Sequence, residues 1–164
     1  MKIKRITEME VEQNQLMVGD RIIIADAEWR VLDIQDGKAL IWKSTKIEDH
    51  VFNENGSNVY EGSDIQRYLQ EDFPETMPVD IMEDVTEEGF FLLTIDQVMQ
   101  YMPTEMDRIA ADADGCTTWW WTASPYVGGG SSVRYVNTGG YVGSYCAYGS
   151  FGVAPACWLI NNPE

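Results

Sequence analysis

The chain has 164 residues, 45% of them hydrophobic, and a formal net charge of −16. This length and composition fit a single folded domain and exclude a disordered chain. The acidity is concentrated between Ile47 and Asp107, where sixteen Asp and Glu residues accompany one basic side chain, Arg67. Because such a surface repels phosphate groups and anionic lipids, we expect no nucleic acid partner. No apolar run approaches the roughly 20 residues of a membrane span, so we expect no membrane insertion.

The N-terminal sequence and the cysteines bear on the cellular compartment. The first ten residues, MKIKRITEME, contain basic side chains but no hydrophobic region behind them, so no signal peptide is visible. We therefore expect a cytoplasmic or virion-associated location. Cys146 and Cys157 would pair only if their strands were neighbours, and without an export signal free thiols are favoured. Together with Cys116 they match no metal-ligand spacing, so we predict no metal site and no cofactor.

The first third of the chain predicts β-structure. Apolar and polar residues alternate in GDRIIIADAEWRVLDIQDGKALIWKS, which places strands near 21–25, 28–35 and 38–43. The dipeptide Asp36-Gly37 lies between the last two strands and tolerates the positive φ angles of a tight hairpin turn.

Two helices follow, and each begins with a capping signal. In SDIQRYLQ, Ser63 and Gln66 have the spacing of a capping box, and apolar residues share one face. In TIDQVMQYM, Thr94 and Gln97 repeat the spacing after a short predicted strand, GFFLL, and Pro103 ends the helix. A weaker helix is predicted over 104–115.

The rest of the chain predicts short strands and turns: TTWWWTASP, VRYVN, the turn TGG, YVGSY and a closing strand over 152–160. We therefore predict a single α+β domain over 1–164, with two helices packed on small antiparallel sheets and the two ends of the chain in one sheet. The apolar positions of these segments predict a core that contains Trp29, Trp42, Leu69, Phe91, Leu93, Trp120, Val153 and Trp158. Trp119 and Trp121 should point away from Trp120 because side chains alternate along a strand.

Catalytic signals are few. His50 is the only histidine, and we expect it to be a surface or loop residue. The DADG sequence at 112–115 lacks the remaining ligands of a calcium loop. No serine lies in a nucleophile elbow, and no phosphate-binding glycine loop precedes a helix. We assign no catalytic residue and expect a protein that is not an enzyme.

Six motifs occur in an order that resembles a bacterial domain family of unknown function, to which a C-type-lectin-like fold is assigned. They are VGDRIIIADAEWRVLDIQDGKALIW, YEGSDIQRYLQ, FFLLTIDQV, WWWTASP, YVNTGG and GVAPACWL, within residues 18–160. The resemblance implies a C-type-lectin-like domain. Ala123 and Ala154 stand where the family usually has arginine, so no role of those arginines carries over. The calcium motifs of sugar-binding lectins are absent from the sequence.

The same fold carries the variable proteins of diversity-generating retroelements. In those proteins, mutated Asn codons scatter into Tyr, Ser, Gly, Cys, Ala and similar residues near the C-terminus. Residues 126–151 have much of this composition and hold one charged side chain, Arg134. We therefore divide the domain into a scaffold (1–125), a variable or binding region (126–151) and the closing strand (152–160).

The function predicted from this resemblance is ligand binding by a surface rich in Tyr, Ser and Gly, residues that suit an adaptable interface. The ligand is a macromolecule of unknown identity, with protein as the favoured class. Two alternatives stay open: an enzyme of the formylglycine-generating type, although the active cysteine pair of those enzymes lies closer in sequence than Cys146 and Cys157, and a structural domain with no diversified site. The predicted ligand-binding residues are Tyr126, Ser131, Ser132, Arg134, Tyr135, Tyr141, Ser144, Tyr145, Tyr148 and Phe151.

Overall fold

The structure is a computed structural model that describes residues 2–5 and 10–161. These residues form an α+β arrangement of three sheets and a few short helices, which confirms the predicted α+β class. The strands are β1 (Lys2–Arg5), β2 (Glu10–Glu12), β3 (Arg21–Ile24), β4 (Ala27–Gln35), β5 (Lys38–Lys43), β6 (Glu48–Val51), β7 (Ala110–Ala111), β8 (Thr117–Thr118), β9 (Trp120–Pro125), β10 (Ser132–Val136), β11 (Val142–Cys146), β12 (Ser150–Val153) and β13 (Ala156–Ile160).

The first sheet is antiparallel, with strand order β13-β5-β4-β3-β1-β2. The predicted hairpin between β4 and β5 is confirmed, because Asp36 and Gly37 have φ angles of 51° and 76°. Strand β1 and strand β13, which pairs with β5, both belong to this sheet. Both ends of the described chain therefore lie in one sheet, as predicted. Strands β1 and β2 were not predicted from the sequence.

The second sheet has the order β11-β10-β9-β12-β6 and contains one parallel pair, β9 with β12. The segment predicted as one closing strand, 152–160, is divided between two sheets, since β12 belongs to the second and β13 to the first. The division falls at Pro155, which lacks the N–H donor of a continuous strand. The Pro155 carbonyl accepts a hydrogen bond from Lys43 N at 2.9 Å, which fixes the crossing between the sheets. Strands β7 and β8 form a small third sheet.

The helices are α1 (Asp64–Arg67), α2 (Val79–Met82) and α3 (Ile95–Tyr101). Both halves of the predicted capping box are present at α3, between Thr94 and Gln97. At α1 the Ser63 hydroxyl accepts a hydrogen bond from Gln66 N, but the Gln66 side chain accepts from Gly62 N instead of completing the box. The chain after α1 continues as a π-helical turn over 68–72 and a 3₁₀ turn over 73–76.

Two predicted elements are wrong. The helix over 104–115 is only a 3₁₀ turn, Glu105–Arg108, followed by β7. The conformation of this segment is fixed by the buried Arg108 side chain, which donates hydrogen bonds to the carbonyls of Met102, Pro103 and Gly140. The predicted GFFLL strand pairs with the first sheet only through an isolated bridge from Phe91 to Ala156.

The buried side chains form two clusters on opposite faces of the second sheet. Trp121 belongs to the cluster that contains Trp29, and Trp120 belongs to the cluster that contains Trp42, as strand alternation requires. Most predicted core residues are buried, but Phe91 and Trp158 are half-buried at the edge of a cluster. Among residues 2–5 and 10–161, no helix has the length and apolar character needed to cross a membrane.

Candidate functional site

The surface predicted to bind ligand is built on the hairpin of β10 and β11, at one edge of the second sheet. The hairpin register pairs Arg134 with Ser144 and Tyr135 with Gly143. Because alternate residues of a strand point to opposite faces, Arg134 and Tyr135 lie on different faces. The predicted site residues are therefore distributed over two faces of the hairpin rather than over one contiguous patch.

One face carries an aromatic cluster, which consists of Trp119, Trp121, Tyr135, Tyr145 and Phe151. Phe151 lies at its centre, with ring centroids 4.8–5.2 Å from those of the other four. Tyr135 stacks on Trp119, with centroids 5.1 Å apart and an interplanar angle of 18°. Trp121 is fully buried and donates from its indole N–H to the His50 carbonyl, so the cluster is anchored in the core.

This packing covers two of the predicted ligand-binding residues. Tyr135 and Phe151 are half-buried rather than open to solvent, because each ring is covered by neighbours in the aromatic cluster. Trp119 and Tyr145 are the exposed members. The aromatic face therefore runs from buried rings at Trp121 to accessible rings at its rim.

The opposite face, called here the polar face, carries Ser132, Arg134, Ser144 and Cys146, with Tyr126 beside them. Ser132 and Arg134 are half-buried, and Ser144 is exposed. The guanidinium carbon of Arg134 lies 5.8 Å from the centroid of the Tyr126 ring, which is within cation–π range. This face combines hydroxyl groups, one cation and one aromatic ring.

Tyr141 and Tyr148 lie in the turns at opposite ends of β11. Both are exposed. The five residues of β11 span about 13 Å of extended chain, which separates the two rings. A hydrogen bond to the Cys146 thiol raises the pKa of the Tyr148 hydroxyl. Ser131 is also exposed and lies in the turn before β10, where its carbonyl accepts a hydrogen bond from Ala147 N at 2.7 Å.

Several tyrosine rings of this surface lie against glycines. A Cβ atom on Gly143 would approach the Tyr135 ring to 2.9 Å, and one on Gly149 would approach the Tyr145 ring to 2.8 Å. These distances are shorter than van der Waals contact, so a side chain at either position would clash with the ring. Each ring therefore occupies space that only glycine leaves open. The glycines of the stretch thus set where the rings lie.

Asn58 is a supporting residue that sequence reasoning missed. Its buried side-chain amide donates to the carbonyls of Gly129 (2.9 Å) and Ser132 (3.0 Å), which ties the 126–131 turn to the scaffold. Nothing in the surrounding NENGSNVY sequence distinguishes this asparagine from an ordinary turn residue.

A separate concave region lies where the two sheets meet the chain after α1. This cavity of about 100 Å³ is lined by Lys43, Glu48, Tyr68, Phe73, Thr76 and Val153. The π-helical turn places residues five apart one above the other, and it brings Tyr68 and Phe73 together on the cavity wall. The ammonium of Lys43 lies 5.5 Å from the Phe73 ring centroid, and burial lowers the pKa of Lys43. No residue of 126–151 lines this cavity.

His50, Cys146 and Cys157 lie in three different strands, β6, β11 and β13. His50 lies half-buried in β6 and packs against the Tyr68 ring, with centroids 4.7 Å apart, rather than on the surface. Cys146 and Cys157 are free thiols in different sheets. Burial raises the pKa of Cys157, which keeps this thiol protonated and unreactive. Within the described ranges, no group of three or more His, Cys, Asp or Glu side chains is placed to hold a metal ion.

Comparison with known proteins gives one finding. Residues 82–161 match a family model described as domain of unknown function (DUF6273). The matched part begins in α2, covers just under half of the chain and includes the whole β10–β11 hairpin. No curated protein and no solved structure matches the chain.

Proposed function

We propose that this protein binds a protein ligand through the surface of residues 126–151, carried on a C-type-lectin-like scaffold. One observation carries the proposal: every exposed aromatic side chain among the described residues lies between Trp119 and Tyr148. These side chains are 37–64% exposed, and they are Trp119, Tyr126, Tyr141, Tyr145 and Tyr148. Aromatic residues are enriched and charged residues are depleted at the centres of protein interfaces.

The charge distribution supports the same proposal. Between Gly115 and Pro163 the only charged side chain is Arg134, although the whole chain carries 27 acidic residues. An acidic surface repels an acidic partner, so such a partner approaches at the lowest electrostatic cost where acidic groups are absent. The 126–151 stretch lies within this segment.

Diversification by a retroelement is a further part of the proposal, and burial limits which positions it includes. Tyr141, Ser144 and Tyr148 are exposed, so the scaffold tolerates different side chains there. Ala147 is fully buried, and its backbone bonds to Ser131 and to Asn53, so we place it in the fixed scaffold. The test is genomic: a near-identical repeat beside the gene, differing at template adenines and next to a reverse transcriptase gene. Flanking DNA without such a repeat would contradict diversification but not ligand binding.

Panning of a phage-displayed random peptide library on the immobilised protein tests ligand binding. The variant removes three exposed rings by Tyr141→Ser, Tyr145→Ser and Tyr148→Ser. The matched control removes three exposed apolar side chains elsewhere on the scaffold, by Val59→Ser, Val79→Ser and Met106→Ser.

We expect peptides enriched on the wild-type protein to bind the control variant equally and to lose affinity for the tyrosine variant. Truncating a tyrosine that is a binding hot spot lowers the binding free energy by about 2 kcal/mol or more. Equal binding to both variants, or no enrichment at all, would overturn the proposal.

A further inference from the structure

Arg134 differs from the other arginines of the structure in having no acceptor for its guanidinium. Arg21 and Arg67 form ion pairs with Glu28 and Asp64. Arg30 and Arg108 donate to backbone carbonyls. Among the arginines whose side chains the structure describes, Arg134 alone bonds to no oxygen.

One buried atom of the Arg134 side chain lacks a hydrogen-bond partner. The Nε of Arg134 is shielded from water and has no hydrogen-bond partner. Leaving a buried donor unpaired costs about 1–3 kcal/mol, and more for a charged group. A carboxylate that pairs with this Nε would remove the cost, so pairing there gains more than pairing with a hydrated surface arginine.

The surroundings of Arg134 hold it in place without neutralising it. The Tyr126 ring lies beneath the guanidinium, with the guanidinium carbon 5.8 Å from its centroid. Ser132 lies two residues before Arg134 on the same face, and Ser144 lies directly opposite on β11. Hydroxyl groups and an aromatic ring carry no negative charge, and Arg134 takes part in neither of the ion pairs found among the described side chains.

We infer that Arg134 binds a carboxylate of the protein ligand, supplied by an Asp or Glu side chain. The planar guanidinium presents two parallel N–H donors that match the two oxygens of a carboxylate, and such pairs are among the strongest hydrogen bonds in proteins. The Ser132 and Ser144 hydroxyls flank this position and offer further donors. The inference rests on the proposed function and specifies which partner chemistry the polar face recognises.

The inference runs against what the net charge alone predicts. A chain with a formal net charge of −16 attracts basic peptides at long range. At about 0.15 M salt, charges more than about 8 Å apart are largely screened, so contact at Arg134 decides selectivity under these conditions. A requirement for an acidic residue in the ligand would therefore show that contact at Arg134, and not the net charge of the chain, determines selectivity.

The experiment uses the random peptide library, displayed with its N-terminus free, at about 0.15 M salt. Enriched peptides are synthesised with amidated C-termini, so that only Asp and Glu supply carboxylates, and again with Asp and Glu replaced by Asn and Gln. Affinities are measured for wild-type protein, Arg134→Gln, Arg134→Lys and the control Arg21→Gln, which removes an exposed arginine of the first sheet.

We expect the enriched peptides to share an acidic residue whose replacement by the amide weakens binding to wild-type protein by about tenfold or more. The same replacement should have no effect on binding to Arg134→Gln, a smaller effect on Arg134→Lys and the full effect on Arg21→Gln. Arg134→Lys keeps the charge but loses the two-pronged geometry, so it also tests the inference if Arg134→Gln does not fold.

Three results would overturn the inference. If enriched peptides lose affinity for the tyrosine variant but bind equally well with their acidic residues replaced, ligand binding stands and the role of Arg134 fails. Peptides enriched in Lys and Arg would likewise leave ligand binding standing and overturn the role of Arg134. If no peptide is enriched, the proposed function and the inference fail together.

Discussion

The inner strands of the second sheet and its outer hairpin hold aromatic side chains by different means. In β9, Trp120 and Trp121 are fully buried, and each indole N–H donates to a carbonyl, of Arg108 and of His50 respectively, at 3.0 Å. In the hairpin, Tyr135 lies flat over a glycine and leans on neighbouring rings. The two buried indoles of β9 are thus fixed by the volume that they fill and by a satisfied N–H group. The surface fixes them by contact with the backbone.

The largest effect should come from truncating one of two neighbouring tryptophans. We expect Trp120→Ala to lower the free energy of unfolding by about 3–5 kcal/mol, because it empties a fully buried site. Trp119→Ala removes a partly exposed ring and should cost about 1 kcal/mol. Urea unfolding of both variants measures the difference. Equal losses would contradict the division between core and surface.

Ionisation of a buried tyrosine hydroxyl should make the stability of the fold depend on pH. Burial raises the pKa of Tyr60 to about 12 from an ordinary value of 10.0, and its oxygen accepts a hydrogen bond from Leu92 N. Above pH 10 the unfolded chain ionises this tyrosine while the folded chain keeps it neutral, so stability falls as pH rises from about 10 to about 12. The loss is about 1.4 kcal/mol per pH unit within this window.

The variant Tyr60→Phe removes this contribution, so the stability difference between wild type and variant should shrink as pH rises above 10. Tyr141→Phe is the control, because Tyr141 is exposed. Urea unfolding between pH 9 and pH 11 measures both differences. A pH-independent difference for Tyr60→Phe would show that burial does not suppress its ionisation.

Two glycines should differ in the same manner as the tryptophans. A Cβ atom on Gly152 would lie 2.5 Å from the Trp119 carbonyl and 2.6 Å from Ile47 Cγ2, whereas one on Gly130 would meet nothing within 4 Å. We expect Gly152→Ala to destabilise by about 1–3 kcal/mol and Gly130→Ala to change stability little. Thermal unfolding of both variants distinguishes them, and a tolerated Gly152→Ala would disprove the close strand approach.

The smallest effects should come from the two exposed tyrosines in the turns at either end of β11. Tyr141→Ser and Tyr148→Ser should each change the free energy of unfolding by no more than about 0.5 kcal/mol, since both rings are exposed. Tyr135→Ser should cost about 1–2 kcal/mol, because it removes a stacked ring from the aromatic cluster. If Tyr141→Ser and Tyr148→Ser unfolded the domain, the hairpin would be scaffold and the binding proposal would fail.

Local signals predicted those parts of the fold that depend on a few adjacent residues. Asp36-Gly37 marked its hairpin, and Thr94 with Gln97 marked the start of α3, because turn and capping geometry are encoded within four residues. The segment after Pro103 was predicted as a helix and is not one, because the buried Arg108 bonds to the carbonyls of Met102 and Pro103 and to the distant Gly140 carbonyl. Propensity gives no sign of such a contact.

The candidate site was predictable in composition but not in arrangement. The absence of acidic residues and the abundance of Tyr over 126–151 indicated a surface, and four of its five tyrosines are exposed. The division into two faces depends on the register of β10 with β11, which sequence does not specify when both faces are mixed. Asn58 supports the site from 71 residues away in the chain, so no local pattern points to it.

Hydrogen–deuterium exchange in the presence of a library-selected peptide tests whether ligand contacts residues 126–151. We predict that the bound peptide slows backbone exchange in the 126–131 turn and along β10 and β11, and leaves the chain over 64–76 unchanged. Protection confined to 64–76 would contradict this prediction and place ligand binding beside the Lys43 cavity.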